Sequence, residues 1–199
     1  MVETVSQRRA DRYRTVAPPA ALLLLALAGC AETSPRPPED SMAMTLSSTA
    51  FQPDGSIPAR HTCEGDDLSP PLAWSGVPEG TRSLALVVDD PDAPDPRNPR
   101  TTWVHWVLYN LPATSGGLPE GVRDGDLPGG ARQGLNDWKR PGWGGPCPPV
   151  GRHRYFHKLY ALDTVLPDLG TPTRAELERA MEGHVLARAE LVGTYQKSR

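Results

Sequence analysis

The stretch WVHWVLYN, residues Trp103–Asn110, combines aromatic and β-branched residues and is followed closely by Pro112. Such residues favour β-strands, and a nearby proline commonly bounds a strand. Ser83–Asp89 (SLALVVD) and Arg152–Leu162 (RHRYFHKLYAL) have the same apolar character and strand length. The chain of 199 residues also contains 23 prolines and 19 glycines, which favour turns and loops over long helices. The sequence therefore predicts a mainly β fold.

Shorter elements flank these three strands. Met44–Phe51 is predicted to be a strand that ends at the turn residues Pro53-Asp54-Gly55, and Ala189–Tyr195 to be the last strand. One helix is predicted to begin at Thr173, which can form a capping box with Glu176. The apolar stripe of this helix consists of Leu177, Ala180, Met181, His184 and Val185. Its position on the stripe makes His184 a core or cap histidine in this interpretation.

The N-terminal region has the pattern of an exported lipoprotein. Residues 1–17 contain four arginines and two acidic residues, and the apolar run Ala20–Ala28 follows them. That run is shorter than the roughly 20 residues that a membrane-spanning helix needs, so residues 1–29 are interpreted as a signal peptide. The run ends in Leu27-Ala28-Gly29-Cys30, which is similar to a bacterial lipobox whose cysteine receives the lipid.

We predict that Cys30 is lipidated and that the protein is anchored to a membrane through this lipid. The alternative is a secreted protein without a lipid. More than one acyl chain on Cys30 would anchor the protein stably to a membrane of the cell envelope. Residues 30–43 are polar and proline-rich and are predicted to be a flexible tether, and residues 44–199 the folded domain. Ala31 after the cysteine favours the outer membrane in a host with two membranes. The net charge of −3 gives no reason to expect nucleic acid binding.

Polar side chains interrupt apolar faces on all three strands. Because side chains alternate along a strand, Asp90 shares a face with the apolar residues of the first strand. The same alternation places His105 on one face with Val107 and Tyr109. If the polar faces converge, they form one small pocket. Its predicted polar members are Asp90, His105, His153 and Tyr155.

The predicted pocket is suited to an anion. Two imidazoles and a phenol supply several hydrogen-bond donors, and histidine becomes cationic near neutral pH. The carboxylate of Asp90 can orient one imidazole and favour its charged form. Gly145 and Pro146 are predicted to add a rigid wall with exposed backbone. The expected ligand carries a phosphate or carboxylate group.

Three motifs follow one another along the chain: DPDAP at Asp90–Pro94, WVHW at Trp103–Trp106 and GPCPPVGRHRY at Gly145–Tyr155. Together they resemble the motifs of the phosphatidylethanolamine-binding protein family, whose bacterial branch is often called Raf-kinase-inhibitor-like. Ser69–Leu72 (SPPL) and Asn110–Pro112 (NLP) fit that branch as well. The resemblance extends from about residue 44 to residue 196, which is essentially the whole predicted domain.

This resemblance implies a Greek-key β-sandwich of two antiparallel sheets with a few peripheral helices. It also implies an anion-binding pocket that is surrounded by Asp90, His105, His153 and Tyr155, with Gly145 and Pro146 at its wall. Asp92 is either a further ligand-binding residue or a turn former between two prolines. The implied ligand is a small anion or a phospholipid head group, and no cofactor, metal or catalytic activity is expected. A protein partner is left open, because the sequence does not identify one.

Three alternative functions are left open by the sequence. A metal site could use Asp90, His105, His153 and perhaps His157. A hydrolase could use Cys147 beside His153, or Ser69, although no G-x-S-x-G motif is present. A protease inhibitor could present the loop 112–134. This loop is one of three long irregular stretches, at 91–101, 112–134 and 136–151, and loops of such length are often functional.

The cysteine count gives one covalent prediction. Once Cys30 carries a lipid, Cys63 and Cys147 remain in an oxidising compartment. An even number of remaining cysteines predicts a disulfide bond between them. Two separate buried thiols are the alternative.

Overall fold

A computed structural model describes residues 43–198, so the predicted signal peptide, Cys30 and all but the last residue of the predicted tether lie outside the described residues. The described part is mainly β and contains two antiparallel sheets, which confirms the predicted fold class at that level. The Greek-key connection stays a prediction. Within residues 43–198, no helix has the length and apolar character needed to span a bilayer.

The smaller sheet has the strand order β1-β2-β5, and the larger sheet has the order β6-β4-β3-β7-β8. The strands are β1 (Thr45–Ser47), β2 (Leu72–Ser75), β3 (Ser83–Asp90), β4 (Trp103–Pro112), β5 (Gly117–Leu118), β6 (Arg132–Gln133), β7 (His153–Leu162) and β8 (Val185–Tyr195). One α-helix, α1 (Arg174–Met181), and two short 3-10 helices at Ala59–His61 and Asp124–Asp126 complete the elements of the described residues.

Strand β3 is the centre of the larger sheet, and every one of its residues is buried. Leu84 and Leu86 belong to the same apolar cluster as Trp74 of the smaller sheet. Val87 belongs to a second cluster together with Leu177 of helix α1. Burial on both faces explains the continuous apolar run SLALVVD, because neither face of this strand meets water.

A β-bulge in β4 determines where His105 lies. In the pairing of β3 with β4, Val88 lies opposite Trp106, whereas the next residue, Asp89, lies opposite Val104. His105 is therefore the extra residue of the bulge, and the alternation of side chains shifts by one position there. Such a shift is not visible in the sequence, because both sides of the bulge are apolar.

The predicted grouping of His105 with Val107 and Tyr109 is wrong for this reason. Val107 and Tyr109 belong to the cluster that contains helix α1 residues. His105 instead contacts the ring of Tyr155 at a centroid distance of 5.1 Å, and Tyr155 belongs to the cluster between the two sheets. The bulge thus brings His105 and Tyr155 to the same side of the larger sheet.

The helix begins as predicted but ends earlier. Thr173 caps α1, its side chain accepts from the backbone N–H of Glu176, and the reciprocal bond completes the predicted capping box. The helix stops at Met181, and Gly183 follows with a φ of 78°, a conformation that glycine adopts readily. His184 is exposed and binds Asp163 at 2.8 Å, so the prediction of a core histidine is wrong.

Two further element boundaries differ from the sequence predictions. Strand β1 covers only Thr45–Ser47 of the predicted Met44–Phe51, and β8 begins at Val185 rather than at Ala189. The four-residue strand β2 was not predicted, because its alternating residues lie between proline-rich segments. These differences concern the periphery and leave β3, β4 and β7, which carry the candidate site, in place.

Candidate functional site

Three of the four polar residues predicted from the sequence, Asp90, His105 and His153, line a cavity of about 420 Å³ beside the end of β3 and the start of β4 and β7. The cavity wall is mostly apolar, and its polar groups come from separate elements. Its lining residues are Asp90, Ala93, Pro94, Thr101, Trp103, His105, Trp138, Cys147, Pro148, Pro149 and His153. A small, largely apolar cavity with a few convergent polar groups is the usual form of a ligand site.

Asp90 and His153 form a buried pair at one side of this cavity. The Nδ1 atom of His153 lies 2.7 Å from Oδ2 of Asp90, and His153 is fully buried. Oδ1 of Asp90 accepts a hydrogen bond of 2.8 Å from the backbone N–H of Asp92. Burial raises the pKa of Asp90, and the hydrogen bond to His153 opposes that effect. The carboxylate of Asp90 is thus bonded to the imidazole through one oxygen and to a backbone N–H through the other.

His153 has no free ring nitrogen. Its Nε2 lies 2.9 Å from the backbone oxygen of Val150, which can only accept, so Nε2 carries a proton. Because Asp90 occupies the other nitrogen, both ring positions are used within the protein. His153 therefore positions the carboxylate of Asp90 and gives the cavity a polar wall, but it has no donor left for a ligand.

His105 differs from His153 in this respect. Its Nδ1 lies 2.5 Å from the backbone oxygen of Gly144, whereas its Nε2 is buried and has no hydrogen-bond partner within residues 43–198. Burial lowers the pKa of His105 from its ordinary value of 6.5 to about 4, so the ring is neutral near pH 7. A buried polar atom without a partner costs about 1–3 kcal/mol, so Nε2 is a natural contact for a ligand.

Tyr155 adds a second unpartnered group. Its hydroxyl is buried and has no partner among the described residues, and its ring packs edge-to-face against His105. Burial and the nearby carboxylates of Asp90 and Asp92 raise its pKa, so the hydroxyl keeps its proton. Tyr155 does not belong to the cavity lining, but its ring contacts His105, which does.

Asp92 lies outside the cavity lining and binds Arg154. Its carboxylate binds the guanidinium of Arg154 through two hydrogen bonds, of 2.9 Å and 2.7 Å, and also accepts from the backbone N–H of Arg154. These bonds lower the pKa of Asp92. Asp92 is not among the lining residues of the cavity, so its geometry favours the structural role over ligand contact.

Gly145 and Pro146, which were predicted to form the wall of the pocket, are not among the lining residues of the cavity. Gly145 and Pro146 are buried away from the cavity lining, and the wall consists instead of Cys147, Pro148 and Pro149. The backbone N–H of Gly145 binds Oδ1 of Asp67 at 2.7 Å. In the motif GPCPP, the first two residues therefore pack near the segment around Asp67, and the next three line the cavity.

A disulfide bond connects Cys63 with Cys147, with a Cα–Cα distance of 5.4 Å. Close to it, the backbone N–H of Cys63 donates to the oxygen of Pro146 at 3.2 Å. The cavity wall at Cys147 is therefore held to a distant part of the chain by a covalent bond and by a backbone hydrogen bond.

Two aromatic residues of the lining were not assigned to the site from sequence. Trp138, which is 41% exposed, packs edge-on against both Trp103 and His105, at centroid distances of 5.4 Å and 5.2 Å. The side chain of Asn136 fixes the turn that presents Trp138, because its Oδ1 accepts from the backbone N–H of Trp138 at 3.0 Å. The sequence signal for this contact is a tryptophan that lies among polar residues in a loop.

The metal and hydrolase alternatives find little support in this geometry. No group of three or more His, Cys, Asp or Glu side chains within residues 43–198 is arranged to hold a metal ion. His157 lies outside the cavity lining and stacks on Trp143. Cys147 is bound in the disulfide, and the hydroxyl of Ser69 accepts from the backbone N–H of Val122 at 2.9 Å.

The loop 112–134 is attached to the rest of the domain at several points. The backbone N–H of Gly121 donates to the oxygen of Ser69 at 2.9 Å, and Glu120 forms an ion pair of 2.8 Å with Arg60. Val122 is buried. These contacts hold the middle of the loop against the domain, which is not the exposed, extended form that a protease-binding loop needs.

Comparison with known proteins identifies the family. The family model described as phosphatidylethanolamine-binding protein matches residues 47–196. The chain is 51% identical over 155 residues to a UPF0098 protein of Methanothermobacter thermautotrophicus. This alignment covers 77% of this chain and 99% of the relative. The chain is 44% identical over 154 residues to a UPF0098 protein of Chlamydia muridarum, covering 77% and 99%. The chain therefore belongs to the phosphatidylethanolamine-binding protein family.

Solved structures agree with this assignment. A phosphatidylethanolamine-binding protein homologue from Chlamydia trachomatis superposes with a TM-score of 0.72 at 44% identity, covering 78% of this chain and 99% of the other. YbcL of Escherichia coli, described as a member of the mammalian family, superposes with a TM-score of 0.71 at 37% identity over the same shares. The family predicted from the three motifs is thus confirmed.

Proposed function

We propose that this protein is a binding protein whose cavity takes a small anionic group of the phosphate or carboxylate type, free or as a phospholipid head group. The observation that carries the proposal is the pair of unpartnered polar groups, His105 Nε2 and the Tyr155 hydroxyl, beside a mostly apolar cavity. A ligand that contacts these atoms would remove their desolvation cost. The volume of about 420 Å³ suits a head group rather than a macromolecule.

The proposal includes the place where the protein acts. The lipobox-like end of the apolar run predicts a lipid at Cys30 and a domain held outside the cytoplasm, in the cell envelope. We assign the protein to the Raf-kinase-inhibitor-like branch on the motifs quoted above, and we propose binding without catalysis. A phospholipid head group would be within reach of a domain that is tethered to a membrane.

Calorimetry on the domain from residue 44 onward tests this function. Inorganic phosphate, acetate and phosphorylethanolamine are titrated into the wild-type domain and into Tyr155→Phe, which removes only the hydroxyl. Loss of one hydrogen bond should weaken binding by about 1 kcal/mol, or roughly fivefold. His184→Gln is the matched control, because His184 is exposed and lies outside the cavity lining. Absence of binding by all three ligands would refute the proposal.

A further inference from the structure

Strand β8 forms one edge of the larger sheet, and its pairing strand among the described residues is β7. Near its C-terminal end the edge is covered, because the backbone N–H of Ile57 donates to Thr194 and that of Thr194 donates to Gly55, both at 2.8 Å. The peptide groups of Thr194 therefore point away from β7. Since these directions alternate along a strand in unbroken register, the peptide groups of Arg188 and Glu190 point the same way.

The uncovered part of this edge is short and has a defined limit on each side. At one limit the backbone N–H of Asp54 donates to the oxygen of Val192 at 2.8 Å and occupies the edge. At the other limit the register of β8 against β7 shifts, and Leu186 is the extra residue of a β-bulge. The segment Ala187–Leu191 lies between these limits, and no residue of the described chain bonds to its outward peptide groups. Its centre is Ala189.

Two opposite charges flank that centre. Ala189 packs in the cluster between the sheets, so its exposed neighbours Arg188 and Glu190 face away from the smaller sheet. Neither forms an ion pair or a side-chain hydrogen bond within the part of the chain that the structure describes. Lys158, which lies opposite Glu190 on β7, is bonded instead to Asp89 at 2.7 Å. Both charges on the edge are therefore available to a partner.

An identical strand that runs antiparallel about Ala189 matches every group on this edge. In that register Arg188 of each copy lies directly opposite Glu190 of the other, so each charge meets an opposite charge. The outward peptide groups of the same residues then form hydrogen-bonded pairs across the contact. The next register in either direction would place Arg188 opposite Arg188 or Glu190 opposite Glu190, so the charges select a single register.

From this self-complementarity we infer that the protein self-associates through the edge Ala187–Leu191, in an antiparallel contact centred on Ala189 that joins the larger sheets of two copies. Charged side chains on an edge strand discourage pairing with most other strands, and here they favour a second copy. A contact between identical surfaces closes at two copies. Because the segment is short, the contact belongs to the weak, reversible class, which buries less than about 1,200 Å² in total.

The contact lies away from the cavity, so the inference does not depend on the proposed function. His153, which lines the cavity, pairs with Tyr195 at the C-terminal end of β8. The open edge lies toward the opposite end of the strand. Val185 and Leu186, which are 46% and 45% exposed, adjoin it there, where a second copy would shield them from water.

Sedimentation velocity of residues 44–199 over a range of concentrations measures the self-association. The relatives compared above correspond almost entirely to this domain, so it folds without the segment that precedes it. We expect a reversible equilibrium between monomer and dimer. Arg188→Glu and Glu190→Arg each replace attraction by repulsion at both charge pairs, so each should raise the dissociation constant by about tenfold or more. Arg100→Glu, at an exposed position between β3 and β4, is the matched control and should leave it unchanged.

A mixture of the two single variants provides a sharper test. One variant then has only acidic groups at the two edge positions and the other only basic groups, so together they should form a mixed dimer although neither associates alone. The double variant Arg188→Glu, Glu190→Arg should pair as the wild type does. Hydrogen exchange supplies an independent measurement: the amides of Arg188 and Glu190 should gain protection as the concentration rises, whereas that of Ala189, which faces β7, is protected throughout.

Three outcomes would overturn the inference. The domain could remain monomeric at all concentrations. A dimer that neither charge reversal weakens would use a different surface. Protection of the Arg188 and Glu190 amides that does not depend on concentration would assign the edge to a segment of the same chain. None of these results bears on anion binding, which calorimetry measures separately at the cavity.

Discussion

The carboxylate of Asp90 lies 2.7 Å from Nδ1 of His153, and both side chains are buried. Asp163 and His184 form the same kind of pair at 2.8 Å, but the two side chains are 47% and 46% exposed. The chain therefore contains an internal comparison between a buried and an exposed carboxylate–histidine pair of almost equal length. Burial decides how much each pair contributes to stability, because water competes for the exposed pair.

The first prediction uses this comparison. Asp90→Ala leaves the buried Nδ1 of His153 without a partner and should lower the free energy of unfolding by about 3 kcal/mol or more. Asp163→Ala should lower it by about 1 kcal/mol at most. Urea unfolding of the two variants and the wild type measures both values. Equal effects would show that the Asp90–His153 pair is not the buried support described for the cavity.

The second prediction concerns the close approach at Gly145. A Cβ atom at this position would lie 2.5 Å from the backbone oxygen of His61 and 2.9 Å from the Cα atom of Thr62. Gly145→Ala should therefore destabilise the domain by roughly 1–3 kcal/mol, the usual cost of overpacking. Gly129→Ala is the control, because nothing lies within 4 Å of its Cβ position. Thermal unfolding of both variants decides the matter, and a neutral Gly145→Ala would contradict the packing described.

The elements that could be predicted from the sequence are those with a strong local signal. Strand β3 is an apolar run buried on both faces, β4 is buried over most of its length, and β7 alternates buried with more exposed residues. The cap of α1 needs only Thr173 and Glu176, three residues apart. The bulge at His105 could not be predicted, because it depends on how β4 pairs with β3. Short β5 and β6 contain only two residues each and have no periodicity to detect.

The candidate site was predictable in its residues but not in their roles. Family motifs placed Asp90, His105, His153 and Tyr155 together, and the structure shows three of them in the cavity lining and Tyr155 against His105. Motifs do not show which ring nitrogen is already bonded. The oxygens of Val150 and Gly144 distinguish the two histidines, and backbone carbonyls cannot be located from sequence.

The third prediction concerns the disulfide between Cys63 and Cys147. The bond closes a loop with a sequence separation of 84, and such a crosslink typically contributes about 2–4 kcal/mol. The Cys63→Ser, Cys147→Ser double variant should lose stability by this amount. It should also bind anions more weakly, because Cys147 and the two prolines after it form the cavity wall. A titration that finds two free thiols in the unfolded, unreduced domain would contradict the bond.

The fourth prediction tests the anchor. Cys30→Ser in the full chain removes the thiol that would receive the lipid, so the protein should leave the membrane fraction or accumulate as an uncleaved precursor. Ser41→Ala is the matched control, since it changes a residue of the predicted tether and leaves both Cys30 and the disulfide in place. Fractionation and gel mobility of the two variants expressed in a bacterium give the answer. A Cys30→Ser protein that behaves as the wild type would show that the lipobox-like sequence is not processed.

The last prediction concerns stability at acidic pH. Burial lowers the pKa of both His105 and His157 from 6.5 to about 4. Between about pH 4 and pH 6.5, these histidines bind protons in the unfolded chain but not in the folded domain. Their contribution to the free energy of unfolding is therefore complete above about pH 6.5 and decreases as the pH falls toward 4. Each histidine should account for roughly 3 kcal/mol over that range. Asp90 acts in the opposite direction, because its raised pKa favours the folded state as the pH falls.

His157 allows this prediction to be tested without changing the cavity. The residue lies outside the lining and packs against the rings of Trp143 and Phe51, so His157→Phe keeps an aromatic ring in an aromatic environment. The variant should lose about half of the decrease in stability between about pH 6.5 and pH 4, because only His105 still titrates in this way. Urea unfolding at a series of pH values measures the slope. An unchanged slope would mean that His157 is protonated in the folded domain, and that the acid sensitivity originates elsewhere.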